Sequence, residues 1–286
     1  MHPAAPRSDA PGGVARSCAQ KRAAFRALHQ QGCFVLPNPW DAGSARYLEA
    51  LGFQALASTS SGYAWSNAQV DGAMARDAVL AHLREIVAAT ELPVNADFED
   101  GYGDTPEDVA ESVRLAVATG VAGLSIEDGT GDAANPQYPL EVALARLRAA
   151  RAAINAAGGD TLLVGRAENF FVGRPDLADT IARLQAYAQA GADCLYAPGI
   201  HTREQIAAVV AAVAPKPVNL LVGGTSELNV QQIAALGVRR ISVGGGLARA
   251  AWGGFMRAAR DLAQHGRFDG FAGAATGAEL NALFGH

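Results

Sequence analysis

The sequence predicts an α/β protein built as a single (β/α)8 TIM barrel, and three observations carry that expectation. Eight apolar runs of strand length recur along the chain, each followed by an Ala- and Leu-rich stretch of helical period. The runs lack polar alternation, as parallel strands buried on both faces do. A helix-ending glycine that leads into the next strand returns at Gly52, Gly120, Gly191 and Gly237. A chain of 286 residues is long for one domain but ordinary for this barrel.

The elements follow in order. Residues 1–20, rich in Ala, Pro, Gly and Ser with no apolar core segment, predict a disordered N-terminal tail and no secretory signal; the barrel takes residues 21–286. The first run, Cys33 to Leu36, ends in Pro37-Asn38-Pro39-Trp40-Asp41, which lacks the Gly-rich fingerprint of a nucleotide-binding open sheet. The next runs are Gln54 to Ser58, Val94 to Phe98 and Gly123 to Ile126. Leu162 to Arg166, Cys194 to Ala197, Val218 to Val222 and Arg240 to Val243 complete the set. Between them, Thr105-Pro106-Glu107 opens a helix with a cap, a first-turn proline and an acidic neighbour, and Arg174-Pro175-Asp176 opens another. Two strand-to-helix connections are long, Thr59 to Ala75 and Gly129 to Pro139, and such loops commonly serve as lids or binding loops.

Composition narrows the function classes. A net charge of −5 leaves no basic footprint for nucleic acid or an acidic membrane, and no run is long enough to span a bilayer. Cys18, Cys33 and Cys194 are odd in number and widely spaced, so reduced thiols in a cytoplasmic protein are expected. The partner is a small molecule.

In such a barrel the chemistry lies at the C-terminal ends of the strands. There the chain places Thr59-Ser60-Ser61-Gly62, whose backbone N–H groups could meet an anion, then Asp97-Phe98-Glu99-Asp100-Gly101, Glu127-Asp128 and Arg166-Ala167-Glu168. Asp97 and Glu99, two apart, share one face if the strand continues through them, and Glu127 emerges at the same level from the next strand. Three carboxylates crowded together predict a hard divalent cation, Mg2+ or Mn2+ rather than Zn2+, because no Cys or His stands with them. Arg166 is placed to clamp a carboxylate or an enolate oxygen, or to pair with the acids. Gly223-Gly224-Thr225 and Gly244-Gly245-Gly246 suit either a phosphate cradle or close packing.

With these residues in place, the stretch from Phe34 to Phe268 resembles the isocitrate lyase/phosphoenolpyruvate mutase superfamily. The carriers are Ala96-Asp97-Phe98-Glu99-Asp100-Gly101-Tyr102-Gly103 and Leu124-Ser125-Ile126-Glu127-Asp128, supported by Gly165-Arg166-Ala167-Glu168 and Pro217-Val218-Asn219. The resemblance implies a Mg2+-dependent enzyme that chelates a small 2-oxo acid and stabilises its enolate. It makes Asp97 the direct metal ligand, with Glu99, Glu127 and Asp71 holding metal-bound waters. Ser60, Ser61 and Gly62 meet the substrate carboxylate or oxyanion. Arg166 clamps it, and Trp40, Tyr63 and Asn219 complete the substrate site. It also implies homo-oligomers, dimers of dimers, that swap an eighth helix spanning Leu247 to His265. Lyases of that superfamily carry a Lys and an acid-supplying Cys in the loop after the fourth strand, and Gly129 to Tyr138 has neither. The expectation is therefore carbon–carbon cleavage or decarboxylation by another route. A phosphate-binding isomerase or mutase, and a non-catalytic metal- and ligand-binding barrel, are the alternatives.

Overall fold

The computed structural model describes residues 16–285; of the N-terminal tail expected from the sequence, residues 1–15 lie outside them. Eight parallel strands form the nearly closed barrel: β1 (Phe34–Leu36), β2 (Leu56–Ala57), β3 (Val94–Asp97), β4 (Gly123–Glu127), β5 (Leu162–Arg166), β6 (Cys194–Tyr196), β7 (Val218–Leu221) and β8 (Arg240–Ser242). Hydrogen-bonded neighbours run β1-β8-β7-β6-β5-β4-β3-β2. At the remaining seam Pro37 cannot donate to a ladder, so its carbonyl accepts from Ala57 N (3.0 Å), while the Asn38 amide reaches the Ser58 carbonyl (2.8 Å). The TIM barrel predicted from the apolar runs is the observed fold.

The helices are α1 (Cys18–Leu28), α2 (Ala42–Ala50), α3 (Ser60–Ser66), α4 (Arg76–Ala89), α5 (Pro106–Ala118), α6 (Leu140–Ala156), α7 (Leu177–Gln189), α8 (Arg203–Val213), α9 (Val230–Ala235), α10 (Gly246–His265) and α11 (Gly277–Phe284). The helix-end glycines at 52, 120, 191 and 237 have φ of 87°, 94°, 105° and 90°, the left-handed conformation the sequence phrase requires. Two boundaries differ from expectation. Ser17 caps α1 through a reciprocal pair with Gln20, so the helix starts at Cys18, inside the stretch assigned to the tail. Thr59 likewise caps α3, a helix inside what reads as loop.

Packing separates the barrel into two ends. Phe25 of α1, fully buried, plugs the N-terminal end among Phe34, Ala55, Ala122 and Leu162. The helical shell packs on the outer strand faces through Leu83, Val113, Leu147, Leu184 and Val209, among others. One helix stands apart: α10 buries only Ala248 and leaves Trp252, Phe255 (62% exposed), Met256 and Leu262 open. The chain then turns back, and the Phe284 ring of α11 lies against Gly43 of α2.

Candidate active site

The strand register sets the layers of the site. Asp97 pairs with Ser125, Glu127 with Arg166, Arg166 with Tyr196, Tyr196 with Asn219, and Asn219 with Arg240. Side chains two apart on a strand share a face, so Asp97 stands one inward layer above Asn95. A cavity of about 110 Å3 runs between these layers, lined at the mouth by Ser60, Ser61, Asp71, Asp97, Arg166 and Phe171 and below by Asn95, Ser125, Tyr196, Asn219, Arg240 and Ser242. A larger open groove of about 670 Å3, between the loops after β6 and β7, is lined by Gly223, Gly224 and Thr225 but by none of the expected metal or 2-oxo acid residues.

At the mouth the point of convergence is a guanidinium. Arg166 Nη1 lies 3.2 Å from Asp97 Oδ1 and 2.7 Å from Glu127 Oε2, and its Nε donates to Glu168 Oε1 at 2.5 Å. The guanidinium sits 5.1 Å from the centre of the Tyr196 ring. Burial opposes its charge, but Glu127 and Glu168 outweigh that and hold Arg166 well above its ordinary range. Its Nη2 makes no hydrogen bond to the described residues.

The carboxylates are crowded, as expected, but differently arranged. Among the described residues no three acid, His or Cys side chains meet around one point as a closed metal site. The shared-face argument for Asp97 and Glu99 also fails. The strand ends at Asp97, and Glu99 takes φ 44° in a tight turn with Gly101 and Tyr102, so strand alternation no longer applies to it. Glu99 Oε1 accepts from the Tyr102 hydroxyl at 2.7 Å. Even so the acids act on one another. Burial pushes the Glu99 carboxyl up to about 7 against the Tyr102 bond, with the charges of Asp97 and Asp71 adding to the rise. Burial, then Asp97, raises Asp71, and burial holds Glu127 well above the usual carboxylate range despite Arg166.

This donor set fits a hard cation. Mg2+ keeps several waters and needs only one or two direct carboxylates, so a closed cage is not required. Burial and, after it, mutual repulsion raise Glu99 and Asp71, and both costs are what such a cation would relieve.

Of the expected substrate residues, Ser60, Ser61, Arg166 and Asn219 line the cavity, and Gly62, Trp40 and Tyr63 do not. Gly62 donates to its cap Thr59 Oγ1 (3.3 Å), and a Cβ there would sit 2.6 Å from Thr59 Cγ2 and 3.0 Å from Trp40 Cβ. Trp40 Cβ thus packs against α3 at Gly62, and Trp40 is not among the residues lining the cavity. Tyr63 points outward, stacked on His82 at 3.8 Å with its hydroxyl on the Ala78 carbonyl (3.3 Å). The amide of Ser60 already serves Asp97 Oδ2 (3.0 Å). Asn219 faces the cavity, but at its floor, bonded to Ser242 (2.9 Å) and Arg240 (2.8 Å). The glycine clusters pack closely: a Cβ on Gly245 would lie 2.7 Å from Ser61 Oγ, and one on Gly246 would lie 3.1 Å from the Gly223 carbonyl. Close packing accounts for Gly245 and Gly246, whereas Gly224 has open space around it and lines the groove between the loops after β6 and β7.

Sequence reasoning placed Glu168 at a strand end without giving it a role, and did not single out Asn95 or Arg240. The signals were present: Asn95 is two before Asp97 on the same face, and Arg240 is a charged residue opening an apolar strand.

The loop after β4 is closed on itself. Gly129 bridges Gln137, Tyr138 N donates to the Asp128 carbonyl (2.8 Å), and the Gln137 amide reaches both Asp128 Oδ2 and Asn169 Oδ1 at 3.0 Å. Asp128 itself is buried and also takes bonds from Tyr187 (2.5 Å), Arg183 (3.1 Å) and Glu168 N (2.7 Å).

Fold and site together define a barrel protein with an acid-rich, arginine-centred pocket at the strand ends. Residues 25–263 match the family model for phosphoenolpyruvate phosphomutase, and the chain belongs to that family, within the isocitrate lyase/phosphoenolpyruvate mutase superfamily. It is similar to a candidate lyase/mutase of Burkholderia cenocepacia J2315, at 50% identity and TM-score 0.91 over 94% of this chain and 98% of that one. It is 33% identical over 222 residues to an uncharacterized protein of Mycobacterium tuberculosis (strain ATCC 25618 / H37Rv), covering 77% of this chain and 81% of the relative. It also resembles oxaloacetate acetylhydrolase in complex with the product oxalate, at 28% identity and TM-score 0.83 over 93% and 94% of the two chains. No helix of the described residues is long and apolar enough to cross a membrane.

Proposed function

We propose that this chain is a Mg2+- or Mn2+-dependent lyase-type enzyme that cleaves a carbon–carbon bond in, or decarboxylates, a small 2-oxo acid through an enolate. The observation that carries this reading is Asp97, fixed by Ser60 N and Arg166 at the cavity mouth, beside Asp71 and Glu99, which burial first and then the Asp97 charge raise. Asp97 would hold the cation directly, and Glu99, Asp71 and Glu127 would hold its waters. The cation, when bound, supplies polarisation of the 2-oxo carbonyl.

The chain's own groups do the rest. Arg166 Nη2 is open to a substrate carboxylate or the enolate oxygen, and the surrounding acids keep the guanidinium charged and aimed. Ser61, at the first turn of α3 and lining the cavity, would bind the oxyanion with Ser60. Gly62 lets α3 approach, Tyr63 ties that helix to α4 by stacking on His82, and Trp40 Cβ packs against it at Gly62. The exposed apolar side of α10 supports a swapped helix between paired subunits of a cytoplasmic oligomer.

Asp97→Ala tests the reading. It should abolish Mg2+ binding by calorimetry and remove EDTA-sensitive turnover of oxaloacetate, while circular dichroism stays unchanged. Equal Mg2+ affinity in the variant would sink the assignment.

A further inference from the structure

At the floor of the cavity, one layer below Asp97, stands a second guanidinium with a different environment. Arg240 is 2% exposed and makes no ion pair among the described residues. Its partners are neutral amides: Nε donates to Asn219 Oδ1 at 2.8 Å and Nη1 to Asn95 Oδ1 at 3.4 Å, with no bond from Nη2 to the described residues. Burial pulls Arg240 below its ordinary range, and the other groups acting on it are Cys194 and Tyr196 rather than any carboxylate. From beneath, His29 is held neutral, pulled down to about 3 by burial and then by the field of Arg240, so it adds no second positive charge and supplies no anion. The neighbouring wall is polar too, with Ser125, Ser242 and Asn219 where such barrels usually pack branched apolar side chains.

A buried cation without a counter-ion is costly unless something supplies the charge, and this one lines the same cavity as Asp97 and Arg166. We propose that Arg240, carried by Asn95 and Asn219, is an anion subsite that receives a second carboxylate of the substrate and so selects 2-oxo diacids over 2-oxo monoacids. The inference rests on the proposed 2-oxo acid site above it. Asn95 lies two residues before Asp97, which at strand rise sets the two levels roughly 7 Å apart. A short diacid held at the mouth by one end spans that depth with the other.

Two probes separate the levels. Oxalate has no distal carboxylate and occupies the mouth alone; 3,3-difluorooxaloacetate, which cannot enolise, carries one. Both are titrated by calorimetry into the whole chain with Mg2+ and with EDTA. Arg240→Met should weaken difluorooxaloacetate about tenfold or more while leaving oxalate within about twofold. Asn95→Asp places a carboxylate beside Arg240, neutralising it in place; it should show the same selective loss with an unchanged or higher melting temperature, which covers the case that Arg240→Met fails to fold. Equal loss of both ligands, full retention of difluorooxaloacetate in Asn95→Asp, or failure of both ligands to bind the parent protein overturns the subsite. Binding indifferent to EDTA, with the selective loss intact, removes the metal reading and leaves the Arg240 subsite standing.

Discussion

Two arginines share the interior of this barrel and are compensated in opposite ways. Arg166 at the mouth is ringed by Asp97, Glu127 and Glu168. Arg240 at the floor touches two asparagine side chains and no acid. The contrast separates a charge that organises a site from one held in reserve. Arg166 fixes three carboxylates that would otherwise repel, and its orientation is over-determined. Arg240 is held by two amide oxygens, at 2.8 and 3.4 Å, and its charge meets no acid among the described residues.

The largest test of that difference is Arg166→Met. It strands three partly or fully buried carboxylates and should cost about 3–5 kcal/mol of stability in urea titrations, besides abolishing turnover. A loss below about 1 kcal/mol would show the ion pairs to be no more than surface bridges.

A smaller effect lies in pH. Glu99 ionises near its ordinary 4.5 in the unfolded chain but only around 7 when folded. Between those values the folded chain keeps the proton that the unfolded chain releases, so stability is greatest at the acid side and falls as pH rises to about 7, then levels off. Asp71, Glu127 and Glu168 shift the same way. With EDTA present, Glu99→Gln should reduce the total fall across this window by on the order of 1–2 kcal/mol, solvent screening discounting the full shift. A slope unchanged by the substitution would mean that Glu99 is not among the groups responsible.

The smallest effect belongs to the floor. Removing an uncompensated buried charge leaves no acid stranded, so Arg240→Met should be neutral or stabilising by up to about 2 kcal/mol in the same titrations. A destabilisation as large as that of Arg166→Met would erase the distinction between the two sites.

Much of the architecture was legible because buried parallel strands read as plain apolar runs and their helices end on left-handed glycines. The site was legible in composition and less so in orientation. Asp97, Ser60, Ser61, Asp71, Arg166 and Asn219 all line the cavity. What the sequence hid was local chain direction. A Thr59 cap turned Ser60 to Ser66 into a helix and aimed Tyr63 outward, away from the cavity. A left-handed residue at Glu99 broke the alternation used to align it with Asp97. Arg240 was hidden differently: periodicity marks where a side chain sits, but only the fold shows that no acid meets it.

The tie between Gln137 and Asp128 bears on how fast the pocket can exchange its contents. With Gly129 bridged to Gln137 and Tyr138 pinned, only the short tip from Thr130 to Pro136 is free of the barrel. A tip of that size moves on the nanosecond-to-microsecond scale of small loops, not the slower scale of hinged lids. Where that tip is what gates the mouth, entry and release would track solvent viscosity, which turnover measured in graded glycerol reads out.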